Sequence, residues 1–138
     1  MDDCIFCAIV DGRAPARMVA SNDGAVAFLD ISPLTEGHTL VVPTAHSRDL
    51  LGAAPADLAA VTDLVRTVAP LVLDGVGASG FHVMSNTGAE ALQTVFHTHF
   101  HVMPRRHGDG FAPDLSGRGA PPEQLDAVHT RILAAAGR

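Results

Sequence analysis

Three histidines recur at every second position in one largely apolar stretch of the chain. His97, His99 and His101 alternate with apolar or β-branched residues between Val95 and Pro104. Alternation at a period of two is typical of a strand, so we expect the three imidazoles to project from one sheet face while the intervening side chains pack on the other. Because the ordinary pKa of histidine is about 6.5, such a row can supply a nucleophile, a base, a hydrogen-bond donor or a metal ligand.

Two kinds of chemistry would use this row. A strand rises about 3.3 Å per residue, so neighbouring histidines are roughly 7 Å apart at Cα and two of them could bind a catalytic zinc with a third ligand from elsewhere. Alternatively, one imidazole attacks phosphorus while the others hold phosphate oxygens. Each histidine could also be an ordinary hydrogen-bonded core residue, and the stretch alone leaves these interpretations open.

The chain has two cysteines, Cys4 and Cys7, which are three residues apart. In a reducing compartment this spacing favours metal ligation or redox chemistry over a structural disulfide. Free buried thiols are the alternative.

Length and composition favour one globular domain that spans residues 1–138, with 47% hydrophobic and 17% charged residues. The net charge of −6 argues against general affinity for DNA or RNA, which requires a basic face, but not against small nucleotides. The N-terminus lacks the order of a signal peptide and no apolar run reaches the roughly 18 residues of a membrane span, so we expect a cytoplasmic protein that does not enter the membrane.

Local patterns predict five strands and three helices. Turn residues between two apolar runs indicate a hairpin, and helical spacing of apolar residues indicates helices. Pro70 should end or kink the long helix, because proline lacks the N–H and clashes with the preceding turn. The predicted elements are a short helix that ends near Gly12, a hairpin over 18–30, strands over 38–43, 81–86 and 95–104, a long helix over about 55–73, and a C-terminal helix over 123–136.

Several separate motifs make the sequence resemble the histidine triad, or HIT, family of nucleotide hydrolases and transferases. They are the H-x-H-x-H signature, residues 28–33, the strand opened by His38, Pro43 with His46, Asn86 with Gly88, and Gln93 before Val95. The resemblance implies an α+β, HIT-like fold with a five-stranded antiparallel sheet, one long helix and a C-terminal helix. It also implies a homodimer formed along the helix and the sheet edges.

The resemblance further implies a mechanism. His99, the middle histidine, would attack the α-phosphate in line and form a nucleotidyl-histidine that water then hydrolyses, a reaction that needs no metal. His101 and His38 would support the nucleophile and the phosphate. Thr94 and Asn86 would contact phosphate oxygens or the leaving group.

Other positions are implied to contact the nucleotide. Asp30 would accept hydrogen bonds from the ribose hydroxyls, although a turn acid before a proline is the alternative interpretation of this residue. Ile31 would form an apolar wall beside the nucleoside, and Gln93 would lie close to the phosphate. Leu92 stands where the family usually has glycine, so we expect the loop over 87–93 to be altered around the phosphate.

Cys4, Cys7, His46 and His97 match the residues that hold a structural zinc in many bacterial members. A Cys₂His₂ tetrahedron is a standard closed zinc site, and it would tether the N-terminal segment to the sheet.

The leading hypothesis is a hydrolase of adenosine phosphoramidates or dinucleoside polyphosphates, with a purine nucleotide as substrate. The nucleotidyltransferase branch commonly has glutamine in place of the third histidine, so His101 favours a hydrolase. A nucleotide-binding interaction module with incidental turnover and a metalloenzyme that uses two triad histidines are the alternatives from other classes.

Overall fold

The computed structural model of the protein describes residues 3–137. Within this range no helix is both long and apolar enough to cross a membrane. The elements, in chain order, are α1 (Ile5–Val10), β1 (Met18–Ser21), β2 (Ala25–Leu29), β3 (Thr39–Pro43), α2 (Pro55–Val76), β4 (Gly80–Met84), β5 (Phe100–Arg105) and α3 (Pro122–Ala136).

The five strands form one antiparallel sheet in the order β1-β2-β3-β5-β4. This confirms the predicted α+β fold and the predicted sheet. On adjacent strands, Leu40 of β3 pairs with Phe28 of β2 and with His101 of β5. Paired residues share a face, so these three side chains lie on the same side of the sheet.

The long helix α2 covers the opposite side. It begins at Pro55, which suits the first helical turn, and ends before Gly77, whose φ of 69° is the left-handed conformation common after a helix. Its apolar stripe forms one core cluster with strand residues of the α2 face. That cluster comprises Ala25, Ala27, Val41, Val61, Leu64, Val65, Val68, Ala69, Val72 and Val102.

The helix does not end at Pro70, which was one of the two outcomes expected there, but continues to Val76, slightly beyond the predicted bound of about residue 73. Pro70 is exposed, while its neighbours Ala69 and Val72 are buried against the sheet. A proline inside a helix costs about 3 kcal/mol, and burial of a Val side chain contributes about 1.5–3 kcal/mol. Packing on the sheet therefore offsets the lost hydrogen bond.

The triad strand is also shorter than predicted. β5 begins at Phe100, so that only His101 lies in it, and His97 and His99 precede it. If the pairing of β5 with β3 continued before Phe100, it would reach Pro43 of β3. Proline has no N–H to donate to the neighbouring strand. Thr98 instead donates its N–H to the carbonyl oxygen of Ser47 at 2.8 Å.

The short helix α1 packs on the side of the sheet that faces away from α2. Its one buried residue, Phe6, forms a second, smaller core cluster with Val26, Phe28, Leu40 and Val42. α3, in contrast, has no buried residue. The sheet face with α1 is thus only partly covered, and the candidate site lies there.

Candidate functional site

A pocket of about 410 Å³ opens between α1, the end of β2 and the histidine row. Its walls are mostly apolar, with a smaller number of polar side chains. The lining residues are Ile5, Phe6, Ile9, Pro15, Ala16, Phe28, Leu29, Asp30, Ile31, Ser32, Leu40, Thr94, Val95, His99 and His101. The pocket thus combines a mostly apolar compartment with polar groups that include two of the three histidines.

His99 is held in one tautomer by the backbone. Its Nδ1 lies 2.7 Å from the carbonyl oxygen of His97. A carbonyl oxygen can only accept, so Nδ1 carries the hydrogen and Nε2 keeps its lone pair. The ring is only 6% exposed, and this burial lowers the pKa of His99. His99 therefore presents a neutral imidazole whose Nε2 is free to act as a nucleophile.

His101 is oriented by a chain of hydrogen bonds that starts at a backbone amide. The N–H of Leu34 donates to Nδ1 of His38 at 3.1 Å, and Nε2 of His38 lies 2.9 Å from Nδ1 of His101. Because the first bond occupies the acceptor nitrogen of His38, its Nε2–H donates onward, and the hydrogen of His101 is on Nε2. This nitrogen is buried and has no hydrogen-bond partner within residues 3–137.

Burial, with the neighbouring His99 and His38, lowers the pKa of His101 to about 4. His101 is therefore neutral at physiological pH, and its Nε2–H is an unsatisfied donor beside the lone pair of His99, whose ring centroid is 5.0 Å away. An unpaired buried donor costs about 1–3 kcal/mol. A phosphate oxygen in the pocket could accept this hydrogen bond and remove the cost.

Asp30 makes a turn contact and also lies at the pocket. Its Oδ1 accepts the N–H of Ser32 at 2.8 Å, as a turn acid does, and the residue also lines the pocket. Its Oδ2 lies 3.6 Å from Nε2 of His38. Ile31, next in the chain, is 87% exposed at the pocket rim.

A second set of side chains could hold a metal. One ligand atom from each of Asp30, His38 and His101 lies within 4.8 Å of the other two. The hydrogen bond from Leu34 to Nδ1 of His38 argues against this, because Nε2 of His38 must then keep its hydrogen. A metal ligand must offer a lone pair. The geometry fits a hydrogen-bonded relay better than a metal site.

The remaining predicted phosphate residues separate into two groups. Thr94 lines the pocket, whereas Asn86 and Gln93 are not among its lining residues within the described chain. The Gln93 side chain is buried and bonded to backbone: its Oε1 accepts from the N–H of Gly88 at 2.9 Å, and its Nε2 donates to the carbonyl oxygen of Arg48 at 2.8 Å. Gln93 thus ties the loop over 86–93 to the connection after β3.

Leu92 adopts a left-handed backbone conformation that favours glycine. Its φ of 71° makes it the one non-glycine residue with positive φ between residues 3 and 137. A left-handed L-residue costs about 1–2 kcal/mol. The side chain is 78% exposed and does not line the pocket, so the loop has not repacked around it.

The other end of the histidine row contributes to a separate cluster. Cys4, Cys7, His46 and His97 bring one ligand atom each within 4.8 Å of the others. The Nδ1 of His97 lies 3.4 Å from the Sγ of Cys4, 3.5 Å from the Sγ of Cys7 and 3.2 Å from the Nδ1 of His46. The Nδ1 of His46 is in turn 3.3 Å from the Sγ of Cys7.

These distances pass a test of fit for a metal. Zn–S bonds of about 2.3 Å and Zn–N bonds of about 2.0–2.1 Å place tetrahedral ligand atoms about 3.3–3.8 Å apart. His97 donates from Nε2 to the carbonyl oxygen of Pro43 at 2.9 Å, which leaves its Nδ1 lone pair directed at the cluster. Burial and the neighbouring Cys4 raise the pKa of the Cys7 thiol, an effect that a bound dication reverses by stabilising thiolate.

Sequence reasoning missed the role of α1 in the site. Phe6 contacts the rings of His97 and His99 edge-on, with centroids 5.9 and 5.0 Å apart, and Ile5 and Ile9 line the pocket. The apolar spacing beside Cys4 and Cys7 indicated a helix, but a spacing does not show which cavity a helix borders.

The comparisons with known proteins agree with this geometry. The HIT domain family matches residues 11–108. The adenylylsulfatase HINT3 of Arabidopsis thaliana is 34% identical over 108 residues, which are 78% of this chain and 55% of that protein.

Two solved structures are similar throughout. A protein of Streptococcus mutans UA159, SMU.412c, superimposes with a TM-score of 0.89 at 33% identity, over 99% of this chain and 87% of the other. A Zn-bound histidine triad family protein from Mycobacterium smegmatis gives a TM-score of 0.73 at 38% identity, over 92% of this chain and 98% of the other. The sheet, the histidine row and the family match together show that the chain belongs to the HIT domain family.

Proposed function

We propose that this chain is a cytoplasmic nucleotide hydrolase that acts at the α-phosphate of adenosine phosphoramidates or dinucleoside polyphosphates through a covalent intermediate on His99. The observation that carries the proposal is the hydrogen bond from Nδ1 of His99 to the carbonyl oxygen of His97, which leaves the Nε2 lone pair available in the pocket. Membership of the HIT family and the adenylylsulfatase relative support nucleotide chemistry of this kind.

The apolar compartment of the pocket would take a purine base, and Asp30 would bind the ribose. The Nε2 of His99 attacks the α-phosphorus as the bond from phosphorus to the leaving amine or nucleoside polyphosphate breaks in line. The leaving group carries away the bond's electron pair and takes up a proton from solvent. Nε2–H of His101 and the hydroxyl of Thr94, which both line the pocket, would donate to phosphate oxygens.

The intermediate has phosphorus on Nε2 of His99 and hydrogen on Nδ1, so its ring is cationic. The carbonyl oxygen of His97 and the carboxylate of Asp30 both favour that charge, since each raises the pKa of His99. Water then attacks phosphorus, the P–N bond breaks, and the electron pair returns to His99. One proton of the water is released to solvent, and the products are adenosine monophosphate and the freed amine or nucleoside polyphosphate.

The alternatives use the same pocket differently. A nucleotide-binding module would bind without turnover, and a nucleotidyltransferase would pass the nucleotide to an acceptor other than water. A catalytic metal on two triad histidines fits least well, because Nδ1 of His97 faces the cysteines and Nδ1 of His101 accepts from His38. Of the three triad histidines, His99 alone then offers a free lone pair in the pocket.

Zinc is the metal that the four-residue cluster fits, and the Zn-bound relative from M. smegmatis supports this assignment. We propose that Cys4, Cys7, His46 and His97 hold it as a structural ion that contributes folding energy and tethers α1 to the sheet. The expected content is about one equivalent per chain after purification without chelator, measured by elemental analysis, and loss of it in the Cys4→Ser/Cys7→Ser variant. Retention of zinc in that variant would contradict the assignment.

We also propose that the chain is a homodimer. Exposed apolar residues on α3 and on the edge strand β4 support this, because a soluble monomer rarely leaves such faces uncovered. These residues are Phe81, Val83, Leu125, Val128, Ile132 and Leu133. Sedimentation of the wild-type chain and of Ile132→Asp should give a dimer and a weakened dimer, and a monomeric wild type would contradict the proposal.

The test of the function is a substrate panel run with and without chelator. The panel contains an adenosine phosphoramidate, a dinucleoside polyphosphate and an adenylyl acceptor, and each reaction is also quenched before completion for mass spectrometry. We expect adenosine monophosphate as product and nucleotide mass on the peptide that contains His99. Nucleotide mass on another residue would reassign the nucleophile, and binding without any turnover would favour the module.

A further inference from the structure

The helix α1 belongs to two sites at once. Its N-cap residue Cys4 and its own Cys7 supply the two sulfur atoms of the metal cluster. On the same six-residue helix, Ile5, Phe6 and Ile9 line the nucleotide pocket. The helix that binds the metal is therefore also a wall of the pocket.

Few contacts hold this wall in place. A helix of six residues is far shorter than the roughly 12–15 residues needed for marginal stability in isolation, so its position depends on tertiary anchors. Phe6 is its one buried residue and packs in the smaller core cluster. The second anchor is the group of thiols and imidazoles that Cys4 and Cys7 form with His46 and His97.

The two sites also share a residue on the sheet side. His97 supplies Nδ1 to the cluster and its carbonyl oxygen to Nδ1 of His99. Phe6 contacts both rings edge-on. The hydrogen bond between His38 and His101, in contrast, joins the residue before β3 to a residue of β5 and involves no residue of α1.

We propose that metal in the Cys4/Cys7/His46/His97 cluster sets the affinity of the pocket for nucleotide by holding α1 as its wall. Loss of the metal loosens the apolar side of the pocket and weakens binding. The chemistry at saturation changes little, because the hydrogen bonds from His97 to Pro43 and from His99 to His97 do not involve the metal, and the sheet positions His101 and His38. This inference rests on the proposed function for the identity of the ligand.

The first experiment measures binding of adenosine monophosphate to zinc-loaded and chelator-stripped protein by calorimetry, with circular dichroism to confirm that the stripped protein keeps its fold. We expect binding about tenfold weaker without zinc, within the range typical of coupled sites, and recovery when zinc is returned. The kcat at saturating substrate should change by less than about threefold, well below the coupling expected for binding.

The second experiment uses the reciprocity of coupled binding. If zinc strengthens nucleotide binding, the nucleotide must strengthen zinc binding by the same factor. Competition for zinc with a chromophoric chelator, run with and without saturating adenosine monophosphate, should therefore show a matching gain of about tenfold.

A pair of variants on α1 separates the wall from the helix as a whole. Ile9 and its neighbour Val10 both pack against the smaller core cluster, but of the two only Ile9 lines the pocket. In zinc-loaded protein we expect Ile9→Ala to weaken nucleotide binding severalfold. Val10→Ala should leave it within about twofold, the size of a surface-type effect.

Four outcomes would overturn the inference. The first two are an equal affinity for adenosine monophosphate with and without zinc, and a zinc affinity that the nucleotide does not change. The third is an equal effect of Ile9→Ala and Val10→Ala on nucleotide binding. The fourth is unfolding of the stripped protein, which would mean that the cluster holds the whole fold rather than α1. If zinc-loaded protein does not bind adenosine monophosphate at all, the proposed function falls and the inference with it. If the protein binds adenosine monophosphate with the same affinity with and without zinc, only the inference is overturned and the proposed function stands.

Discussion

The two faces of the sheet differ in how completely they are covered. On one face, the 22-residue helix α2 contributes six buried residues to a continuous apolar core. On the other face, the six-residue helix α1 contributes one buried residue and leaves a pocket of about 410 Å³ open. The first face closes the core, while the second leaves the Nε2–H of His101 unpaired at the pocket. The main core and the proposed chemistry therefore lie on opposite sides of one sheet.

The sharpest test of this comparison is removal of the nucleophile on the open face. His99→Ala should lower kcat by about 10³-fold or more, since loss of a covalent nucleophile removes the reaction path rather than one contact. Affinity for adenosine monophosphate should stay within about threefold, because base and ribose are bound elsewhere in the pocket. Steady-state kinetics and calorimetry measure the two quantities, and near wild-type turnover would refute the mechanism.

On the closed face, the expected loss is in stability rather than turnover. Leu64 is 2% exposed in the α2 core, so Leu64→Ala should lower the free energy of unfolding by about 2–5 kcal/mol. Leu71, on the same helix but 56% exposed, is the matched control, and Leu71→Ala should cost about 0.5 kcal/mol or less. Urea denaturation measures both, with kcat at 25 °C unchanged. Equal losses would show that the helix does not have a closed and an open side.

The open face should also give the fold a pH dependence. The pKa of His101 falls from about 6.5 in the unfolded chain to about 4 in the fold. Between these values the unfolded state binds more protons at this site. The contribution of His101 to the free energy of unfolding is therefore full above about pH 6.5, declines as the pH falls towards 4, and changes no further below it.

The variant His101→Gln should flatten this decline, whereas His107→Gln, at an exposed position, should keep the wild-type slope. Urea denaturation between pH 4 and pH 8 provides the measurement. Parallel slopes for wild type and His101→Gln would remove His101 as the cause.

The smallest effect is expected at Leu92, where the backbone is strained but the side chain packs on nothing. Leu92→Gly should raise the free energy of unfolding by up to about 1 kcal/mol, because relief of the left-handed conformation exceeds the extra entropy of glycine in the unfolded chain. Leu92→Ala keeps the strain and should change stability by less than about 0.5 kcal/mol. Nucleotide affinity should be unchanged in both. A loss of stability on Leu92→Gly would show that the side chain does pack.

Much of the architecture could be predicted from local patterns. Apart from the triad strand, which begins later than predicted, the strands and helices appear close to their predicted bounds, because period-two and helical spacings report directly which face of an element is buried. The candidate site residues were found through motifs, whose matches lie far apart in the chain. Cys4 and His97, for example, are 93 residues apart and their side chains meet at 3.4 Å.

Three features depended on partners that a local pattern does not contain. Pro70 remains in a helix because the neighbouring residues pack on the sheet, and β5 starts late because Pro43 of the adjacent strand cannot donate. The tautomers of His99 and His101 follow from a carbonyl oxygen and from a relay that begins at Leu34.

By itself, the sequence determined the order of the elements, the polarity of their faces and the set of candidate site residues, since these follow from residue type and spacing. Only the tertiary structure decided which nitrogen of each histidine is free, where the strand around them begins, and that α1 forms a wall of the pocket. Hydrogen-bond partners and cavity walls come from residues distant in the chain, and spacing along one segment carries no information about them.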